Sequence, residues 1–159
     1  MAANKYSFKL KSDLSELKTL CRHIEHYGQV SGLSEIVISE VNICLDELFT
    51  NIVLYGFKDD LEHTIRFKMA LNGHTLMISL EDNGIPFNPL LKKNSELPVD
   101  IDSARIGGLG LHIVKKLMDD IWYERKSGRN RLTLKKVIHS ASHLYKSEKP
   151  RRIPSNYYA

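Results

Sequence analysis

The chain is expected to fold as an α+β two-layer sandwich, a mixed and mostly antiparallel sheet with its helices packed on one face. Three observations carry this expectation. Short stretches alternate apolar and polar residues, a helical period runs almost unbroken through residues 36–55, and strands and helices come in groups rather than in strict alternation. With 159 residues, 42% of them apolar and 26% charged, the chain has the size of one domain and the composition of a globular one.

The elements follow in order. Tyr6, Phe8 and Leu10 alternate with polar neighbours, so residues 5–10 are expected to form a half-buried strand. Ser12 or Asp13 is placed to cap a first helix, in which Leu14, Leu17, Cys21 and Ile24 recur at helical spacing and Gly28 stands as a stop. A second helix over residues 36–55 repeats Val37, Val41, Cys44, Leu48 and Ile52, with Gly56 ending it. Residues 62–71 and 75–81 form a hairpin around Asn72-Gly73-His74, because Asn-Gly suits the turn that matches strand twist. Residues 82–106 are rich in Asn, Pro, Ser and Asp without periodicity, and their length suggests a functional loop, with a lid at about 88–106. A Gly-opened helix over residues 107–118 and a closing hairpin, 121–126 and 132–138 around Ser127-Gly128-Arg129-Asn130, complete a domain of residues 1–138. Trp122 is expected in the core of a strand.

Charge and cysteine content exclude several functions. Of the formal +4, residues 139–159 hold Lys146, Lys149, Arg151 and Arg152 against Glu148, which leaves the body nearly neutral. No basic stripe on the folded part, and hence no direct nucleic-acid binding, is expected. This basic tail has the composition of a solvated terminus. No apolar run approaches the roughly 18 to 20 residues of a membrane helix, so no membrane partner is expected. Cys21 and Cys44 are too few for a disulfide framework, which suits a reducing compartment such as the cytoplasm. Cys21, His23 and His26 do not share one helix face, so no metal site is expected there.

Three short motifs could carry chemistry. Glu47 and Asn51 lie one turn apart on the second helix, a carboxylate and a carboxamide able to handle a proton and a hard cation; solvated helix residues are the plainer alternative. Asp82-Asn83-Gly84-Ile85-Pro86-Phe87 follows an apolar strand. Asp82 could accept a hydrogen bond from an exocyclic amine while Gly84 lets backbone pass close under a flat ring, or the segment is an ordinary turn. Gly107-Gly108-Leu109-Gly110-Leu111 opens a helix, where free N–H groups bind anions, or serves as a hinge. It lacks the Gly-Lys-Ser/Thr of a Walker A loop and the preceding strand of a dinucleotide fingerprint.

Taken in order, Asp46-Glu47-Leu48-Phe49-Thr50-Asn51, Asp82-Asn83-Gly84-Ile85-Pro86-Phe87 and residues 107–114 resemble the N, G1 and G2 boxes of the GHKL, or Bergerat, ATP-binding fold. The likeness is greatest to the bacterial anti-sigma factor serine/threonine kinases. Gly128-Arg129-Asn130-Arg131-Leu132-Thr133-Leu134 is similar to their last strand pair. The resemblance implies ATP and Mg²⁺ as cofactors, with Asn51 as the metal ligand and Glu47 as general base. It further implies Asp82 on the adenine amine, Gly84 under the ring, Gly108 and Gly110 along the phosphates, and a Thr133 hydroxyl beside the adenine. Lys92, Lys93 and Arg105 in the lid are either phosphate contacts or solvated charges. The implied partners are a sigma factor, an anti-anti-sigma (STAS) protein phosphorylated on Ser or Thr, and a second copy in a homodimer. The alternative is a non-catalytic ATP-binding module that switches partners without phosphoryl transfer. With about 40 residues before the first box, a histidine kinase's phosphoacceptor hairpin is not expected.

Overall fold

The computed structural model describes residues 4–91 and 109–139. Along them run β1 (Asn4–Lys11), α1 (Leu17–Val30), α2 (Glu35–Tyr55), β2 (Thr64–Asn72), β3 (Thr75–Asp82), α3 (Leu109–Leu117), β4 (Asp120–Lys126) and β5 (Arg129–Val137). Single 3-10 turns at Leu14–Glu16 and Pro89–Leu91 complete the order. No described helix is long and apolar enough to cross a membrane. The remainder of the expected lid, Gly108 and residues 140–159 lie outside the described residues.

The strands lie in the order β1-β2-β3-β5-β4, and every described pairing is antiparallel, which corrects the expectation of a mixed sheet. The connections explain this. Two helices separate β1 from β2, so the chain returns to the end it left and the neighbours oppose each other. Among the described residues α3 is the one α-helix between β3 and β4, which run parallel to each other, but β5 inserts between them and pairs antiparallel with both.

Alternation assigns the two faces. Phe8, Phe67, Leu80 and Leu132 stand opposite one another across four strands and are buried beneath the helices. Phe8 and Phe67 stack with ring centroids 4.8 Å apart, and Phe49 from α2 reaches within 6.1 Å of Phe67. Leu20, Ile24 and Tyr27 of α1, Val41, Cys44, Leu45 and Leu48 of α2, and Val114 of α3 close this layer. On β5, Lys136 donates to the Leu117 carbonyl at 2.7 Å and pairs with Glu40 at 2.7 Å, which fixes the C-terminal end of α3 against α2.

Several local expectations change. Asp13 accepts from the Ser15 N–H at 2.7 Å and caps the 3-10 turn that precedes α1. Gly28 does not stop α1. A Cβ there would lie 2.4 Å from Ile38 Cγ1, so this glycine lets α1 and α2 approach closely. The helix runs to Val30, and Gly32, beyond the C-cap Ser31, has a φ of +70° that permits the Schellman closure in which Leu33 N–H donates to Gly28 O at 2.9 Å and Gly32 N–H to Gln29 O at 3.2 Å. Trp122 is not a core residue. It lies on the outward face of the edge strand β4 and is 39% exposed. The last turn is tighter than expected, because Ser127 and Gly128 both adopt positive φ and Arg129 and Asn130 already belong to β5.

Candidate functional site

Below α2, where β3 ends and β5 begins, lies a small cleft. Leu48, Ile52, Phe87 and Leu132 supply its apolar lining. Asn51, Asp82, Tyr123 and Asn130 supply the polar groups.

Asp82 reaches this place because it is the last residue of β3, on the inward side that also holds Leu76, Ile78 and Leu80. Its Oδ1 accepts from Gly84 N–H at 2.8 Å and from Asn130 Nδ2 at 2.9 Å, while Oδ2 takes no part in these bonds. Burial pushes the Asp82 carboxyl above its usual range, partly offset by the bonds from Asn130 and Gly84 and by Arg125 nearby. A carboxylate fixed by one oxygen in an apolar cleft presents the other to an N–H donor.

Asn130 holds that arrangement. Its Nδ2 also donates to Ile85 O at 2.8 Å, and its Oδ1 accepts from Tyr123 O–H and from Arg125 Nη1, each at 2.7 Å. Arg125 Nη1 donates in addition to Gly84 O at 3.1 Å. Four residues on three segments thus converge on one buried carboxamide.

Gly84 is required by its neighbours. A Cβ there would lie 2.1 Å from the Gly56 carbonyl oxygen and 2.9 Å from Asp82 Oδ1. Gly56 O in turn accepts from Ile85 N–H at 2.8 Å, so the loop after β3 is joined to the end of α2 at this point. Gly84→Ala is expected to lower stability by about 2 to 3 kcal/mol, since backbone must move to admit the methyl. Thermal unfolding measures this, and an unchanged midpoint would contradict the contact.

On α2, Asn51 is buried and its Nδ2 donates to Glu47 Oε1 at 2.9 Å, one turn away. Its amide oxygen makes no part of that bond, and is the atom a hard cation would take. The Glu47 side chain crosses to α3, where a Cβ on Gly110 would fall 1.7 Å from Glu47 Cδ. The carboxylate therefore rests on the first turn of α3, where unpaired N–H groups and the helix dipole favour negative charge.

The structure thus brings Asn51 and Asp82 to one cleft, packs Gly84 beside Asp82 against Gly56, and ties Glu47 to Asn51 and to Gly110 across the helices. Gly108, Lys92, Lys93 and Arg105 lie outside the described residues. Thr133 is not brought to the cleft. It lies between the inward Leu132 and Leu134, on the face turned away, opposite Ser79 and Trp122. The polar residue that strand turns toward the cleft is Asn130, which the sequence pattern placed in a turn.

Residues 10–136 match the histidine kinase-like ATPase domain family. The serine/threonine-protein kinase BtrW of Bordetella bronchiseptica is 30% identical over 118 residues, which cover 74% of this chain and 82% of that protein. The serine-protein kinase RsbW of Listeria monocytogenes is 32% identical over 95 residues, 57% of this chain and 60% of the relative. The anti-sigma F factor of Clostridium kluyveri is 24% identical over 106 residues, 66% of this chain and 74% of that protein. Two solved structures share the fold. The RsbU and RsbW domains of a Mycobacterium tuberculosis protein superpose with a TM-score of 0.59 at 15% identity, over 84% of this chain and 32% of theirs. The histidine kinase domain of a blue-light-activated kinase from Erythrobacter litoralis gives 0.56 at 14%, over 86% and 65%.

Proposed function

Because the chain belongs to the histidine kinase-like ATPase family, among relatives named as serine-protein kinases and anti-sigma factors, we propose that it is an ATP-dependent anti-sigma factor kinase. In this reading it binds a sigma factor and phosphorylates an anti-anti-sigma (STAS) protein on Ser or Thr, in the cytoplasm. One observation carries the reading: a candidate base, Glu47, is bound to a candidate metal ligand, Asn51, which lines the same cleft as the desolvated carboxylate of Asp82.

The residues fit a nucleotide. The slot between Leu48, Ile52, Phe87 and Leu132 suits a flat ring, with Asp82 Oδ2 free to accept from the exocyclic amine of adenine. Asn51 Oδ1 would hold Mg²⁺, which commonly takes a single protein oxygen and completes its shell with phosphates and water. The bound metal would neutralise charge on the phosphates during transfer. The first turn of α3, against which Glu47 packs at Gly110, would offer its N–H groups to phosphate oxygens. Glu47 would accept the proton of the acceptor hydroxyl as its oxygen bonds the γ-phosphorus and the bridging bond to ADP breaks, with ADP as the leaving group. The bond from Asn51 Nδ2 holds the Glu47 carboxylate beside the residue that would carry the metal.

The test is incubation with ATP labelled at the γ-phosphate together with STAS proteins from the same genome. Label on Ser or Thr of one of them is expected. A protein that binds ATP yet labels none of them would instead be a partner-switching module without phosphoryl transfer.

A further inference from the structure

The sheet has a second face, opposite the nucleotide cleft, against which no described helix packs. The near neutrality of the body hides how its charge is arranged there. In register, Lys9, Arg66, Glu81, Arg131 and Glu124 form one row across all five strands. The next row holds Lys68, Thr133 and Trp122, and the one beyond begins with Lys5 and ends with Lys135 and Asp120. With Lys11, Lys126 and Arg129 at the other end, the outward positions carry nine cationic side chains against three anionic ones.

One of those three anions is consumed within the face. Glu81 is only 8% exposed, covered by Arg131 at 2.8 Å, Arg129 at 3.2 Å and Arg66 at 3.9 Å. Arg131 also reaches Glu124 at 3.0 Å. Three guanidinium groups around a single buried carboxylate leave positive charge in excess and hold the arginines against the sheet. Their freedom is largely spent before any ligand arrives, which favours binding of a further carboxylate. Beside them Trp122 offers an exposed ring on which an aliphatic stem or an arginine-bound segment can rest.

We propose that this open sheet face is a docking surface for an acidic segment of a partner protein. The inference goes beyond the kinase reading and does not depend on it, since the face lies on the other side of the sheet from the cleft. Complementary charge selects the occupant. A second copy meeting face to face would set the same cationic rows against each other, because a two-fold interface pairs a patch with itself. Single-stranded nucleic acid is recognised by stacking bases on several rings, and here the outward face presents one, at its edge.

Trp122 is the chain's sole tryptophan, so its fluorescence reports on this face alone. The experiment titrates the full chain with a poly-glutamate peptide and, separately, with oligothymidylate, at low and high salt, with sedimentation to measure mass. A saturable change in Trp122 emission with poly-glutamate is expected, weakened by salt. It should weaken by about tenfold or more in the double variant Lys68→Glu, Lys126→Glu, while Lys115→Glu, Lys116→Glu on α3 leaves it unchanged. Three results would overturn the proposal: no emission change at low salt, tighter binding of oligothymidylate, or equal weakening by the α3 variant. A dimer that the Lys68→Glu, Lys126→Glu variant dissociates would equally replace the proposed partner by a second copy.

Discussion

Asp82→Asn is expected to weaken ATP binding by about 100-fold or more while the protein melts at the same temperature or higher. The new amide can keep its oxygen toward Gly84 N–H and Asn130 Nδ2, the two donors that Asp82 Oδ1 now serves. Its NH₂ then stands where Oδ2 stood and meets the adenine amine donor to donor. Losing a charge-assisted bond and leaving two donors unpaired in an apolar cleft costs about 3 kcal/mol, the equivalent of that factor. The stability half follows from the sign of the pKa shift. Burial raises the Asp82 carboxyl in the folded state, so the folded protein holds its proton more tightly than the unfolded chain. The ionised form therefore lowers stability as pH rises from about 3.9 through the folded-state value, and that cost is fully present above the folded-state value. Asparagine removes it. A calorimetric titration with ATP and a thermal melt at neutral pH measure the two halves; lost binding with a collapsed melt would mean that Asp82 only supports the fold.

Glu47→Gln is expected to reduce phosphoryl transfer by about 10² to 10⁴-fold with ATP affinity within about threefold of the parent. The amide oxygen can still accept from Asn51 Nδ2, and the side chain has the same volume against Gly110, so the cleft should keep its shape. What is lost is the capacity to take a proton. Single-turnover transfer to an unphosphorylated STAS partner gives the rate, and equal rates for the two proteins would remove Glu47 from the chemistry. Parallel loss of affinity would mean that it acts on the nucleotide instead.

Much of this site could be read from the chain because its residues lie on regular elements. Glu47 and Asn51 are fixed relative to each other by the helical turn, and Asp82 by the end of an alternating strand. Asn130 was hidden by the turn beside it. The pair Ser127-Gly128 needs only two residues to reverse the chain, and assigning four residues to that turn moved Asn130 out of the strand. The same shift hid the strand's phase, which puts Leu132 and not Thr133 toward the cleft. Alternation within residues 129–137 was the signal that could have found this, since Asn130, Leu132 and Leu134 share one side. Gly84 and Gly28 show a different limit. Each is set by a neighbour distant in sequence, Gly56 and Ile38, and no local pattern announces a contact of that kind. The segregation of charge was invisible for a related reason. Lysines and arginines spread over four strands sum to near neutrality with the acids of the helices, and only the register brings them onto one surface.

In the proposed function the cleft between α2, β3 and β5 binds ATP through Asp82 and a metal through Asn51. Titration of the unmodified protein with ATP and with GTP, each with and without Mg²⁺, tests it most directly. Saturable ATP binding strengthened by Mg²⁺, with GTP much weaker because guanine turns a carbonyl where adenine turns an amine, is the expected result. A folded protein that binds neither nucleotide, or binds both equally, would contradict it.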